Sequence, residues 1–187
     1  MSSPKNRRVA VFIDGLNMRY RLDECQWYVD PDVLYLAERL AGNRQLVGAF
    51  YYVASPNQEH LGKVKYWHET EYLRRVDSQP GVDVRYGYMA SRRTPQGTPY
   101  WIEKAVDVQL ASDLIYLAAT DQYDVAVIVS ADGDLCPAIR AARALGCRVE
   151  LVFFKCAKAF VGQLIKDSDM SRAAKRSHFR SIHSATS

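Results

Sequence analysis

Residues 128–135 read IVSADGDL, and residues 11–17 read VFIDGLN. In both, a run of apolar and β-branched residues stops at a carboxylate, and small or turn-forming residues follow. The longer run, YDVAVIVS (123–130), is the most strand-like in the chain and brings Ser130, Asp132 and Asp134 to its exit. RVAVFI (8–13) brings Asp14. A strand that is apolar throughout, rather than alternating, is covered on both faces, which is the habit of parallel sheets.

The rest of the chain repeats this unit. QLVGAFYYV (45–53), VDVRYGYM (82–89) and CRVELVFF (147–154) are further strand candidates. Helical stretches fall between them. One spans 30–42, with Asp30 as N-cap, Pro31 at the first helical position and Gly42 at the close. Others cover roughly 57–77, 100–120, 134–146 and 157–166. Five strands alternating with helices predict an α/β fold, an open and mostly parallel sheet with helices on both faces. Such sheets keep ligands outside the carboxyl ends of their strands, near a switch in strand order. Asp14, Asp132 and Asp134 are expected at that edge. Residues 1–7 read as a flexible lead-in, 8–166 as a single domain, and 167–187 as a basic, Ser-rich, flexible tail.

Bulk properties narrow the function classes. The 187 residues are enough for one domain burying roughly 70% of its unfolded surface. The net charge of +4 is too small by itself to argue for nucleic acid, so the distribution of charge must decide. Cys25, Cys136, Cys147 and Cys156 form no C-x-x-C pair and no paired spacing with histidine, which argues against zinc. Cys147 and Cys156 read as small hydrophobes. With free thiols, no secretory h-region and no apolar run near the ~18 residues of a membrane span, the expected location is cytoplasmic.

A third acid emerges from a helical wheel over 103–119. With Asp107 at zero, Leu114 and Ala118 fall at about −20° and +20°, and Ala111 at about +40°. Gln109, Ser112 and Tyr116 take the opposite face. Asp107 therefore lies on the apolar stripe, where a carboxylate is costly unless paired or bound to a cation. Asp113 lies at the stripe's margin. Simpler roles exist for each acid alone. Asp14 suits a cap after its strand, Asp132 or Asp134 an N-cap of the next helix, and Asp107 a response to the helix dipole or a pair with Lys104. Acids from three separate segments aimed at one edge favour a cluster. Packed carboxylates repel one another unless a cation is present, and hard Mg²⁺ or Mn²⁺ suits all-oxygen ligands that leave room for water and phosphate. No Ser-His-Asp set is apparent, and His60, His68, His178 and His183 lie outside these motifs, so a phosphodiesterase fits better than an acyl hydrolase.

VFIDGLNM, EKAVDVQLASDL and AVIVSADGDLCPAIRAARALGCRVELV resemble the signature blocks of the NYN domain, in its LabA-like branch, within the PIN-like nuclease superfamily. The resemblance covers roughly 8–153 and implies a three-layer α/β/α sandwich and metal-dependent ribonuclease activity on single-stranded or loop RNA. It makes Asp14, Asp107, Asp132 and Asp134 the catalytic, metal-binding acids, with Asp113 a further acid of the same helix. Asn17 would orient Asp14 or contact a phosphate, Lys104 would sit beside Asp107, and Ser130 would polarise the turn. Where the family usually has SGDGDF, this chain has SADGDL, and neither change removes a ligand. Some LabA-like members act mainly as regulators, so the resemblance also allows a scaffold role with a protein partner, and it leaves room for a homodimer. Other acid-rich folds fit less well. A haloacid-dehalogenase phosphatase needs an acid where Leu16 stands, a Toprim domain wants glutamate in place of Asp14, and phosphate-binding glycine motifs are absent.

RYGYMASRRTPQGTPYWIEK (85–104) leads into the Asp107 helix. It interleaves Arg85, Arg92, Arg93 and Lys104 with Tyr86, Tyr88, Tyr100 and Trp101. Cations beside aromatic faces suit unstacked single strands, although tyrosines packed on the sheet and a solvated arginine loop would read the same. The tail cluster Arg172, Lys175, Arg176 and Arg180 would add phosphate affinity or simply be solvated.

Overall fold

β1 (Arg8–Asp14) is the axis of the molecule, buried along its whole length beyond the first residue. The computed structural model describes residues 7–156 and 161–182. β1 pairs in parallel with β2 (Gln45–Ala54) on one side and with β5 (Val125–Val129) on the other. β3 (Val82–Arg93), β4 (Pro99–Lys104), β6 (Arg148–Phe153) and β7 (Met170–Ala173) complete a seven-stranded sheet in the order β4-β3-β2-β1-β5-β6-β7. Only β3 and β4 pair antiparallel. Period-two alternation along β1 builds two cores. Val9, Val11 and Ile13 pack with α2 (Val33–Ala41) and α4 (Lys63–Asp77), while Ala10 and Phe12 pack with α5 (Val106–Ala119) and α6 (Cys136–Ala144). The expected mostly parallel α/β sandwich is observed, with two strands more than expected.

The departures have local causes. Residues 100–104, expected to open a helix, form β4. The β-favouring run Tyr100-Trp101-Ile102 pairs with β3 across a turn at Gly97, and Ala105, in the left-handed region at φ 71°, separates β4 from α5. α1 (Gly15–Glu24) was not anticipated, because its sequence GLNMRYRLDE carries only three buried residues. Gly62, at φ 74°, splits the helix expected at 57–77 into α3 (Gln58–Leu61) and α4. The cap of α2 is Asp32 rather than Asp30. The last helix, α7, spans Gly162–Asp167; residues 157–160 of the stretch expected there lie outside the described residues.

The expected flexible tail is instead part of the fold through residue 182. β7 extends the sheet, Phe179 is buried against Trp27 and Phe154, and Arg180 pairs with Asp32 at 2.7 Å. Arg172 donates to the Leu40 carbonyl and Arg176 to the Phe179 carbonyl. These basic residues hold the stretch 170–182 on the domain. Residues 183–187, like 1–6 of the expected lead-in, lie outside the described part.

Cys25 and Cys156, expected as free thiols, form a disulfide with a Cα–Cα distance of 5.2 Å and 131 residues between them. It ties the end of α1 to the segment after β6, and the thiol argument for a cytoplasmic location no longer applies to this pair. Cys136 keeps a buried thiol. Closing so long a loop contributes up to roughly 4–5 kcal/mol in the chain-entropy account. Dithiothreitol and Cys25→Ser should each lower Tm by about 10 °C, without additivity. Calorimetry showing an unchanged Tm under reduction would mean the bond does not form in solution.

Candidate functional site

The carboxyl ends of β1 and β5 lie side by side, with Ile13 opposite Val129, at the point where the strand order reverses direction. Asp14 is the last residue of β1 and is buried. Its Oδ1 accepts from the Asn17 backbone N–H at 3.0 Å, and its Oδ2 accepts from the Ser130 hydroxyl at 2.9 Å. Capping of α1 and membership of a cluster are therefore compatible, because each uses a different oxygen. The Ser130 hydroxyl also accepts from the Asp132 N–H at 3.0 Å, and Asn17 Oδ1 accepts from the Ala131 N–H at 3.1 Å. Asn17 thus staples the two motifs together rather than only orienting Asp14.

After β5, Asp132 Oδ1 accepts from the Asp134 N–H at 2.9 Å and caps the 3₁₀ turn Gly133–Leu135 that leads into α6. Asp134 caps nothing. α6 has no side-chain cap, and Asp134 is exposed. The sequence left Asp134 as ligand or cap, and the geometry removes the cap.

Asp107 reaches this edge from the second residue of α5. Val106, Leu110, Leu114 and Ala118 of α5 are buried, but Asp107 itself is exposed, which corrects its expected place on a buried stripe. The stripe is real, and the first turn overhangs the end of the sheet. Two glycines allow these approaches. A Cβ on Gly15 would lie 2.7 Å from the Tyr51 ring, and one on Gly87 would meet the Lys104 carbonyl and the Val106 side chain.

Glu103 was not anticipated. It accepts from the Ala54 N–H at 2.9 Å, and its charge interacts with those of Asp14 and Asp107. A helical reading of 100–104 hid it, whereas strand periodicity would have put Trp101 and Glu103 on one face. Asp113 stands apart from the cluster. It accepts from the Tyr52 hydroxyl at 3.0 Å and lies 3.4 Å from Arg85 Nε. Arg85 also pairs with Asp83 at 2.8 Å, so its charge is spent on the sheet. Arg92 and Arg93 are exposed near the tip of the β3–β4 hairpin and have no carboxylate partner among the described residues. Tyr88 and Tyr100 are exposed on the same hairpin, Lys104 is exposed at its base, and Trp101 is half-buried.

Burial pushes the Asp14 carboxyl up to about 6. The Asn17 and Ser130 hydrogen bonds oppose that rise, and the charges of Asp107 and Asp132 add to it. Burial, then Asp14 and Asp107, raise Glu103 to about 7, against the pull of the Ala54 N–H. Asp107 is raised by desolvation and by Asp132 and Asp134. Asp14, Asp107, Asp132 and Asp134 form no salt bridge with Lys, Arg or His among the described residues. Several acids elsewhere are paired, among them Asp124 with Arg8 and Glu150 with Arg44, both at 2.8 Å. Among the described residues no three acidic, His or Cys side chains close into a ready-made cage. The donor set is all carboxylate oxygen, which fits a hydrated divalent cation held by one or two carboxylates and otherwise by water.

The NYN domain family model matches residues 8–178. The chain is 26% identical over 154 residues to the "Low amplitude and bright protein LabA" of Synechococcus elongatus, covering 78% of this chain and 73% of that one. The crystal structure of a protein of unknown function from Vibrio parahaemolyticus superposes with a TM-score of 0.67 at 22% identity, over 96% of this chain and 99% of that one, and so shares the fold.

The strained ionisation of Asp14 makes a prediction. In the unfolded chain it ionises near pH 4, while the folded chain holds its proton to about pH 6. This stabilisation is complete below pH 4 and is lost as pH rises through 6. In EDTA, Tm of the wild type should therefore fall from pH 5 to pH 8 more than that of Asp14→Asn. At pH 8 the variant should be more stable by up to roughly 3 kcal/mol. An equal or steeper fall in the variant would show that Asp14 does not carry the strain.

Proposed function

Because the chain belongs to the NYN domain family, whose domains are ribonuclease-like in general, we propose that it is a divalent-metal-dependent endoribonuclease acting on single-stranded or loop RNA. The observation that carries this reading is the gathering of four aspartates at the switch point of the sheet with no cationic side chain to neutralise them among the described residues, while the other buried acids, Asp32 and Glu150, are each paired with arginine. A hard cation would relieve that charge.

Asp14, Asp132 and Asp107 would hold Mg²⁺ or Mn²⁺, with Asp134 at the outer side. When bound, the ion supplies Lewis acidity, water activation and charge neutralisation for in-line displacement at phosphorus. The residues of the chain do the positioning. The Asn17 N–H and the Ser130 hydroxyl fix both oxygens of Asp14, and Ser130 and Asn17 lock the turn that carries Asp132. Arg92, Arg93 and Lys104 would draw the phosphodiester chain, and Tyr100 and Trp101 would offer ring faces to its bases. The exposed hairpin arm favours a flexible strand over a rigid duplex. With Arg85 already ion-paired and Asp113 held by Tyr52 and Arg85, we assign both residues to the sheet's own stability.

A second reading is a regulatory or scaffold module working through a protein partner. It is favoured by the absence of a closed cage among the described residues and by the LabA relative, whose name denotes no enzyme.

Cleavage of a labelled single-stranded RNA in Mg²⁺ or Mn²⁺, and its abolition by EDTA, separates the two. Asp14→Asn and Asp132→Asn should each slow cleavage at least ~100-fold, Ser130→Ala by roughly 10–100-fold, and Asp113→Asn by only a few-fold. Wild-type rates from folded Asp14→Asn and Asp132→Asn would defeat the mechanism. An inactive wild type with a partner interaction insensitive to both substitutions would establish the scaffold reading.

A further inference from the structure

A cavity of about 250 Å³ opens beside the acids, between α1, α3 and the β3–β4 hairpin. Leu16, Leu61 and Met89 line it with carbon, and Trp101 and His60 form an aromatic wall with ring centroids 5.7 Å apart. Two features tie it to the candidate centre. Leu16 is two residues beyond Asp14, and Glu103 lines the cavity while interacting with Asp14 and Asp107. The wall is also braced. Asn57 Oδ1 accepts from the His60 N–H at 3.0 Å, and the nearby Arg19 pairs with Glu69 while lying over the Tyr72 ring.

We propose that this cavity is a nucleobase subsite, receiving one unstacked base of a single-stranded RNA whose backbone crosses the acidic edge. The proposal rests on the ribonuclease reading and adds a specificity element to it. Size is one argument, since the volume lies below the 300–1,000 Å³ typical of drug-sized ligands and suits a single planar ring system. Chemistry is another, because carbon surface and an aromatic ring face are what a base requires on leaving its stack. Charge decides the orientation. Arg19 also lines the cavity but its charge is taken up by Glu69, which leaves Glu103 as the lining acid without a cationic partner among the described residues, so the uncharged part of the nucleotide enters. The phosphate stays outside, toward the acid-bound cation and the hairpin arginines. The same unpaired carboxylate of Glu103 disfavours an acidic peptide as occupant.

The probe is a ten-nucleotide single-stranded RNA carrying 2-aminopurine at one position at a time. It is bound in Mg²⁺ by the 187-residue chain bearing Asp132→Asn, so that under the reading above it stays intact. Fluorescence should be quenched at one position relative to the others. An abasic nucleotide there should weaken binding about tenfold. In the same background, Trp101→Ala and Leu61→Trp, the latter filling the cavity from its surface rim, should abolish both effects, while Trp101→Phe keeps the quenching. Leu61→Trp carries the test if Trp101→Ala fails to fold, as read from its thermal melt. Position-independent fluorescence, wild-type quenching in Leu61→Trp, or no RNA binding would each overturn the subsite. Failure of the ribonuclease reading is separately visible as an uncleaved probe after incubation with the wild-type chain in Mg²⁺ or Mn²⁺, with the quenching pattern still measurable.

Discussion

The Ser130 hydroxyl joins the two acid-bearing strand ends. It donates to Asp14 at 2.9 Å and accepts from the Asp132 N–H at 3.0 Å, in a buried position. A charge-assisted hydrogen bond of this kind is worth about 1.5–3 kcal/mol, and here it holds a carboxylate against the repulsion of its neighbours. It can form only because β1 and β5 pair with Ile13 opposite Val129. A slip of one residue would turn Asp14 to the other face of the sheet. Two strands separated by over a hundred residues thus present one chemical surface.

The two edges of the sheet treat charge differently. At the amino-terminal edge, Asp124 accepts from the backbone and side chain of Arg8 and is held down to about 2. Glu150 sits buried with Arg44, and Arg148 and Arg172 stand within 4 Å. At the carboxyl edge, hydrogen bonds orient Asp14 but no guanidinium among the described residues neutralises it, and its carboxyl rises to about 6. The first edge spends its charges on holding the chain together. The second keeps oxygen donors available, at some loss of metal-free stability near neutral pH.

How much of this was legible follows from where the signals are local. The apolar runs ending in Asp14 and Asp132 identified the parallel sheet and its edge, because burial on both faces leaves an unbroken hydrophobic signature. The wheel found Asp107 for a reason only half right. Its face is the buried one, but its place in the first turn leaves it exposed. Residues 100–104 were misread because they run without a break into the helical periodicity of the Asp107 stretch, and the left-handed backbone of Ala105 that separates the two is reported by no periodicity. Glu103 and the cavity beside it were lost with that misreading. β7 and the docked C-terminus were hidden by polar composition, since Arg172 and Arg180 act through long-range partners, Leu40 and Asp32. The Cys25–Cys156 pairing, 131 residues apart, had no local signal at all.

The proposed role of Asp14, Asp107 and Asp132 is to seat a hard divalent cation. The most direct measurement is anomalous scattering at the manganese edge from crystals soaked in Mn²⁺. The expected result is a peak bounded by Asp14, Asp107 and Asp132 that is lost in Asp14→Asn crystals. Well-ordered acids with no peak between them would contradict it.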